Sequence, residues 1–193
     1  MTNENERNST SPLRTPILHV TAHNCNGQGT VHSCKNGALV PYRGIGASRK
    51  RAYTTANFPA DLKVEQDIEQ RQGVVCPVST KLANKVGAGC RFVDFALLNE
   101  LMMHRTQSLH FSLCLSSRII MKFDDGSETI LSAGAIAVLW AIMHSWGIAR
   151  EIDLARMLYV LQDCQPLRIG EEKLQEDLEV GDSILPETSK DGV

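Results

Sequence analysis

Six short β-prone segments follow one another between residues 90 and 165, and this run constrains the fold more than any other feature of the chain. They are CRFVDFALL, SLHFSLCLS, RIIMKF, ETILS, AIAVLW and ARMLYVLQ, with turn-forming sequence between several of them. DDGSE at 124–128 has the composition of a hairpin turn, because Gly126 can take the left-handed conformation. Many short strands at regular spacing favour an antiparallel sandwich or barrel over a βαβ fold. The sequence therefore predicts an all-β domain.

The segments on either side of this run carry weaker patterns. Residues 1–14 are polar and predict a disordered arm. ILHVTAHNCNGQGTVHSC predicts a β-hairpin that turns at Asn26-Gly27. The glycine, proline and serine content after it predicts irregular chain, so 15–89 is interpreted as a hairpin with an irregular extension, and DLKVEQDIEQ predicts a short helix there. Residues 169–193 are interpreted as an acidic C-terminal tail.

Charge and motif content exclude several function classes. A net charge of −2 gives no general attraction to nucleic acid or to anionic membrane. The first residues lack the apolar segment of a secretory signal, and no apolar run is long enough to span a membrane, so a cytoplasmic protein is expected. RGIGAS at 43–48 lacks the flanking strand and helix of a nucleotide site. The basic cluster of Arg43, Arg49, Lys50 and Arg51 is interpreted as a solvated patch in preference to an anion site.

The segment SLHFSLCLS predicts a strand with two different faces. Side chains alternate across a strand, so one face carries Leu109, Phe111, Leu113 and Leu115, and the other carries His110, Ser112, Cys114 and Ser116. A barrel that holds a ligand or an ion would turn its small polar face inward and leave space there. We therefore expect His110 to face the interior.

Three histidines are the candidate metal ligands: His104, His110 and His144, the last at the end of the strand-like AIAVLWAIMH. Imidazoles from two hairpins can hold a first-row divalent metal, and three of them leave positions open for water, oxygen or substrate. The alternative is that they are hydrogen-bonded core or rim histidines. Periodicity alone leaves both interpretations open.

Five short motifs in order resemble one known family. MHRTQSLHFSLCLSSRIIMKFDDGSETILSAG, followed by MHSW and ARMLYVLQDCQPL, resembles the small single-domain cupins of filamentous fungi, the cupin-domain-containing oxidoreductase-like proteins of secondary-metabolite clusters. The resemblance covers roughly 90–168 and, more loosely, the N-terminal hairpin. It implies a cupin-type antiparallel β-barrel, or jelly roll, over 90–168, with an N-terminal hairpin extension and minor helices.

The same resemblance assigns the site residues. His104 matches the first histidine of the first cupin motif, and Thr106 stands in place of the second. His110 stands where these fungal proteins carry an acid, so that an imidazole replaces a carboxylate, and Ser117 stands where the motif closes on a glycine. His144 matches the histidine of the second motif. The implied metal set is thus His104, His110 and His144.

The resemblance also implies a function. The expected protein is a metal-dependent tailoring oxidoreductase that uses iron, or else manganese, zinc or nickel. Its substrate would be a small, apolar polyketide-type intermediate, aromatic or pre-aromatic and salicylaldehyde-like, handled together with other enzymes of a biosynthetic pathway. Glu100 is the candidate proton carrier. Trp140, Trp146, Phe111 and Met143 are expected to be core or pocket lining.

Two alternative functions and one possible assembly stay open. The reaction on the same substrate class could be a dehydration, isomerisation or decarboxylation. A barrel without metal could bind and shelter an intermediate, which the loss of the second motif histidine at Thr106 favours. A homodimer formed through edge strands is compatible with each of these functions.

Overall fold

The strands of the domain are seen in a computed structural model that describes residues 11–37, 39–42, 47–55, 57–60, 62, 86–96, 102–148 and 154–178. Those residues contain strands and turns and no helix. The strands are β1 (Ile17–His23), β2 (Gly29–Asn36), β3 (Val40–Tyr42), β4 (Ala47–Thr54), β5 (Ala88–Phe95), β6 (Ser108–Ser116), β7 (Arg118–Phe123), β8 (Glu128–Ser132), β9 (Ile136–Trp140), β10 (His144–Ile148), β11 (Ala155–Asp163), β12 (Arg168–Ile169) and β13 (Glu172–Lys173).

Two antiparallel sheets make up the body of the domain. One has six strands in the order β3-β4-β5-β11-β6-β9, and the other has three in the order β10-β7-β8. β1 pairs with β2, and β12 pairs with β13, as separate hairpins. All the pairings in the two main sheets are antiparallel. The predicted all-β, antiparallel fold class is confirmed.

The hydrophobic core lies between the two main sheets. Met157 and Leu161 reach it from β11 in the six-stranded sheet, and Ile119 and Trp146 reach it from the three-stranded sheet. Each main sheet therefore has one buried face, as expected when two antiparallel sheets pack over a shared core. The candidate site lies on these inner faces.

The predicted turns form for the predicted reason. Gly27 has φ +75° in the turn between β1 and β2, and Gly126 has φ +83° between β7 and β8. In the second turn the backbone N–H of Ser127 donates to Oδ1 of Asp125 at 2.8 Å. Glycine takes this backbone conformation without steric penalty, which is why these short sequence signals predict turns well.

β3 and β4 lie in the segment predicted to be irregular, and this is the main difference between expectation and structure. β4 pairs along its length with β5, with a register shift between Arg51 and Tyr53. Its basic residues are poor strand formers, so local composition gives little sign of it. Pairing with a strand some forty residues further along satisfies its backbone groups and decides its conformation.

The segment AIAVLWAIMH also differs from expectation. It is divided in two: β9 ends at Trp140, Ala141 takes φ +50°, and His144 begins β10 in the other sheet. The side chain of Trp140 is 72% exposed and that of Phe111 is 39% exposed, so both interpretations as core or pocket lining were wrong. Both lie on the outer face of the six-stranded sheet, where β6 pairs with the edge strand β9.

The predicted helix DLKVEQDIEQ lies outside the described residues, apart from Leu62. No helix in the described part of the chain is long and apolar enough to cross a membrane.

Candidate functional site

The polar face of β6 points into the domain, as expected for a barrel that holds a ligand or an ion. His110, Ser112 and Cys114 are all buried, whereas Phe111 and Leu115 on the opposite face are exposed. This reverses the usual preference for apolar residues inside. A strand that buries its small polar face and turns Phe111 and Leu115 outward is typical of a wall that leaves room for a ligand.

His104 and His144 are brought together by their own backbones. They form an isolated antiparallel bridge, in which His104 N–H donates to the His144 carbonyl at 2.9 Å and His144 N–H donates to the His104 carbonyl at 3.0 Å. Directly opposed residues of an antiparallel pair carry their side chains on the same face. The two imidazole ring centroids are 4.4 Å apart.

A second hydrogen bond fixes the tautomer of each of these two rings. His104 Nδ1 donates to the Met102 carbonyl at 2.9 Å, and His144 Nδ1 donates to the Ile142 carbonyl at 3.0 Å. A carbonyl only accepts, so each Nδ1 carries the proton and each Nε2 carries a free lone pair. This is the arrangement in which metal-ligating histidines are commonly held, with the other ring nitrogen bonded to a backbone carbonyl.

His110 completes a cluster of three imidazoles. Its ring centroid lies 5.7 Å from that of His144 and 5.1 Å from the ring of Tyr159. Both nitrogens of His110, and Nε2 of His144, are buried without a hydrogen-bond partner. Buried polar atoms without partners are rare, and they indicate a place where a ligand, ion or water completes the bonding.

The electrostatic environment keeps all three imidazoles neutral. Burial, together with the charge that His104 would carry, lowers the pKa of His144 from 6.5 to about 3. Burial lowers the pKa of His104, and burial with the neighbouring His144 and Arg91 charges lowers that of His110 well below its usual value. Neutral imidazole is the form that binds a metal or accepts a proton.

A cavity of about 90 Å³ opens beside this cluster. His104, His110 and Trp146 line it together with Arg49, Arg91, Val93, Phe95, Met102, Thr106, Tyr159 and Leu161. His144 is buried, and its ring centroid lies 5.7 Å from that of Trp146, one of the lining residues. Trp146 was expected to be core or pocket lining, and it is both.

Other expected site residues fall in different places. Thr106, at the position of the missing motif histidine, lines the cavity, and its hydroxyl shares a 2.8 Å hydrogen bond with that of Ser108. Glu100, the candidate proton carrier, lies outside the described residues. Arg49, interpreted from sequence as part of a solvated patch, lines the cavity, because β4 is a strand of the six-stranded sheet.

Sequence reasoning missed Tyr159 and Arg91. Tyr159 is 5% exposed, and its hydroxyl has no hydrogen-bond partner. Alternation within ARMLYVLQ places Tyr159 on the same face as Met157 and Leu161, so the signal was present. Arg91 gave no such signal, because only the register between β5 and β11 places it beside Tyr159.

The donor chemistry of the cluster fits a divalent metal. Neutral imidazoles with oriented, buried lone pairs are typical ligands of first-row ions. Among the described residues, however, no group of three or more histidine, cysteine, aspartate or glutamate side chains is arranged so that it could hold a metal ion. His104 and His144 form the preorganised pair. His110 would have to turn toward them, which its unpartnered ring and broad χ2 preference allow.

Comparison with known proteins gives the family. No protein-family model matches the chain. It is 30% identical over 167 residues to phomopsin biosynthesis cluster protein C' of Diaporthe leptostromiformis, covering 84% of this chain and 87% of that protein. It is 29% identical over 164 residues to the cupin-domain-containing oxidoreductase virC of Hypocrea virens, covering 82% and 81%. Among solved structures, the polyketide cyclase RemF of Streptomyces resistomycificus superposes with a TM-score of 0.45 at 10% identity, covering 77% and 83%.

With its antiparallel two-sheet fold and inward-facing histidines, the chain belongs to the cupin-domain-containing proteins of fungal biosynthesis clusters. Several of these relatives are named as oxidoreductases. The family predicted from the five short motifs is confirmed.

Proposed function

We propose that this protein is a metal-dependent tailoring oxidoreductase of fungal secondary metabolism and that its substrate binds in the cavity beside His104. The observation that carries this proposal is the His104–His144 pair. The two imidazoles are held side by side by their own main chains, and each has its Nδ1 proton bound to a carbonyl. The names of the relatives support the oxidoreductase class.

His104, His110 and His144 are the residues that would hold the metal. Imidazole donors favour a first-row divalent ion. The resemblance to the fungal cupins puts iron first, with manganese, zinc or nickel as alternatives. When bound, such an ion polarises a carbonyl, enol or phenol oxygen and, if it is iron, also supports oxygen chemistry. Burial keeps the three rings neutral, and therefore ready to bind it, at neutral pH.

The walls of the cavity define what the substrate looks like. Val93, Phe95 and Leu161 give it apolar sides, and Trp146 and Tyr159 add aromatic rings. A small aromatic or pre-aromatic molecule with a hydrocarbon portion, such as a polyketide-type, salicylaldehyde-like intermediate, fits walls of this kind. These side chains would bind and orient the ring, while the imidazole cluster faces its oxygen atoms.

A second candidate function has an observation of its own. Thr106 supplies a hydroxyl where the general first cupin motif has its second histidine, and among the described residues no group of three or more His, Cys, Asp or Glu side chains is arranged to hold a metal. This favours a barrel that binds and shelters an intermediate without chemistry. Dehydration, isomerisation or decarboxylation on the same substrate class would need only the proton-transfer capacity of neutral histidines.

Metal analysis tests the proposal. Protein purified without chelator should contain iron, manganese, zinc or nickel at close to one equivalent. His104→Asn and His144→Asn are the informative variants, because the asparagine amide can keep the hydrogen bond to the Met102 or Ile142 carbonyl while Nε2 is lost. Each should lower metal content at least tenfold.

His23→Asn is the matched control, since His23 is an exposed histidine at the end of β1. It should leave metal content unchanged. Stable, folded wild-type protein that takes up less than a tenth of an equivalent, even after dialysis against Fe²⁺ or Zn²⁺, would overturn the metal-dependent function and support the sheltering barrel.

A further inference from the structure

A row of polar side chains crosses the inner face of the six-stranded sheet. Tyr159 on β11 is the direct partner of Arg91 on β5 and of Ser112 on β6. Directly opposed residues carry their side chains on the same face, about 5 Å apart. Arg91, Tyr159 and Ser112 therefore stand side by side across three neighbouring strands.

Two members of this row are buried without any hydrogen-bond partner. The Tyr159 hydroxyl and the Ser112 hydroxyl are both unpartnered, and both residues are more than nine-tenths buried. Tyr159 is one of the residues that line the cavity. A buried hydroxyl without a partner, on a side chain that lines a cavity, is a hydrogen-bond donor that an oxygen atom of a ligand can satisfy.

Two arginines are among the described residues that line the cavity. Arg49 and Arg91 are permanent cations, and none of the described lining residues is a carboxylate. A small cavity with guanidinium groups and low-dielectric walls favours an anion over a neutral molecule.

We propose that the ligand of this cavity is a small organic anion whose charged oxygen is bound by the Arg91 guanidinium and the Tyr159 hydroxyl. Arg49 adds positive charge at the same face of the sheet. A carboxylate and an enolate or phenolate share this chemistry, and both accept hydrogen bonds from guanidinium and phenol donors. The inference rests on the proposed function, since it names the substrate class of the same cavity.

The other lining residues indicate that the ligand also has an apolar part. Val93 and Phe95 continue from Arg91 along the same face of β5, and Leu161 follows Tyr159 on β11. These side chains would pack on a hydrocarbon or aromatic part. The predicted ligand is thus amphipathic, with one acidic oxygen and an apolar body.

Three probes of similar size separate charge from shape. Sodium benzoate carries a carboxylate, 4-nitrophenolate carries an ionised phenol, and benzyl alcohol is a neutral ring of similar bulk. Binding is measured by isothermal titration calorimetry at pH 8, on EDTA-treated and on zinc-loaded protein. At least one of the two anions should bind ten times more tightly than benzyl alcohol, and the anion that does so distinguishes a carboxylate ligand from an enolate-like one.

Substitutions of Arg91 and Tyr159 test whether these two residues cause the preference for an anion. Arg91→Met should abolish the preference for the anion, Arg91→Lys should keep most of it, and Tyr159→Phe should weaken anion binding about tenfold. Arg118→Met is the matched control, because it removes the same charge from β7 at a residue that does not line the cavity. Circular dichroism and size-exclusion chromatography establish that each variant is folded.

The outcomes distinguish this inference from the metal-dependent function. Anion binding that requires Arg91 in EDTA-treated protein supports the inference whatever the metal content. Benzyl alcohol binding as tightly as both anions, anion affinity unchanged in folded Arg91→Met, or no binding of either anion would overturn it, even if the metal analysis succeeds.

Discussion

His104 and His144 are forty residues apart in the chain and are joined by two reciprocal main-chain hydrogen bonds of 2.9 and 3.0 Å. The position of each imidazole is therefore set by backbone pairing and by a carbonyl that holds its Nδ1 proton. Substituting one side chain leaves the other in place. Single substitutions can therefore test the contribution of each imidazole separately.

Acid should destabilise the protein through this cluster. The unfolded histidines take up protons as the pH falls through about 6.5, whereas the folded His144 stays neutral until about pH 3. The unfolded state binds more protons across that window, so the free energy of unfolding should fall by up to about 1.4 kcal/mol per pH unit for each such imidazole. Urea unfolding with EDTA between pH 7.5 and 4 measures the slope.

A variant tests whether His144 contributes to this pH dependence of the free energy of unfolding. His144→Asn should reduce the slope, and the exposed His23→Asn should leave it as in the wild type. A His144→Asn protein with the wild-type slope would contradict the prediction.

The ion pair between Asp94 and Arg156 should contribute strongly to stability. Asp94 is 2% exposed, and Arg156 Nε and Nη2 donate to its two carboxylate oxygens at 2.6 and 2.7 Å. Removing one member of a buried pair leaves the other charge unmatched. Asp94→Asn should therefore lower the free energy of unfolding by about 3 kcal/mol.

The control for this pair is on the surface. Lys122 and Glu128 form an exposed ion pair at 3.5 Å, and Glu128→Gln should lower stability by less than about 1 kcal/mol. Chemical denaturation measures the loss of unfolding free energy in both variants. Equal losses would contradict the prediction that the buried ion pair contributes more to stability than the exposed one.

Replacing Ser117 with glycine should stabilise the protein. Ser117 has φ +60° in the turn between β6 and β7, at the position where the family motif has a glycine. The left-handed conformation costs a residue other than glycine about 1–2 kcal/mol, and glycine loses part of that gain through its freedom in the unfolded chain. We expect Ser117→Gly to add roughly 0.5–1 kcal/mol, measured by denaturant unfolding.

The reverse substitution tests the same reasoning. Gly134 has φ +90°, and a Cβ placed there would meet nothing within 4 Å. Gly134→Ala should therefore be destabilising through backbone strain alone. A destabilised Ser117→Gly protein would show that the serine side chain has a role that the geometry does not reveal.

The two tryptophans should report different environments. Trp146 is 5% exposed and lines the cavity, whereas Trp140 is 72% exposed on the edge strand β9. Trp140→Phe should leave blue-shifted emission that acrylamide quenches poorly, and Trp146→Phe should leave red-shifted emission that is quenched readily. The opposite assignment would contradict the division of AIAVLWAIMH between two sheets.

The sequence by itself determined the parts of this protein that depend on neighbouring residues. Strand alternation predicted that His110 shares one face with Ser112 and Cys114, and glycine chemistry predicted the turns at Gly27 and Gly126, because a side chain's face and a turn's backbone conformation are local properties. Five short motifs also predicted the cupin family. The assignment of His104, His110 and His144 as metal ligands stays a prediction.

The tertiary structure alone decided what depends on register and on pairing between distant strands. β4 is a strand because β5 pairs with it, His144 begins β10 because Ala141 breaks the chain direction before it, and Arg91 stands beside Tyr159 because β5 and β11 align them. None of these relationships has a local signal, since backbone hydrogen bonds between strands form with whichever segment the fold brings alongside. The charged wall of the cavity therefore emerges only in three dimensions.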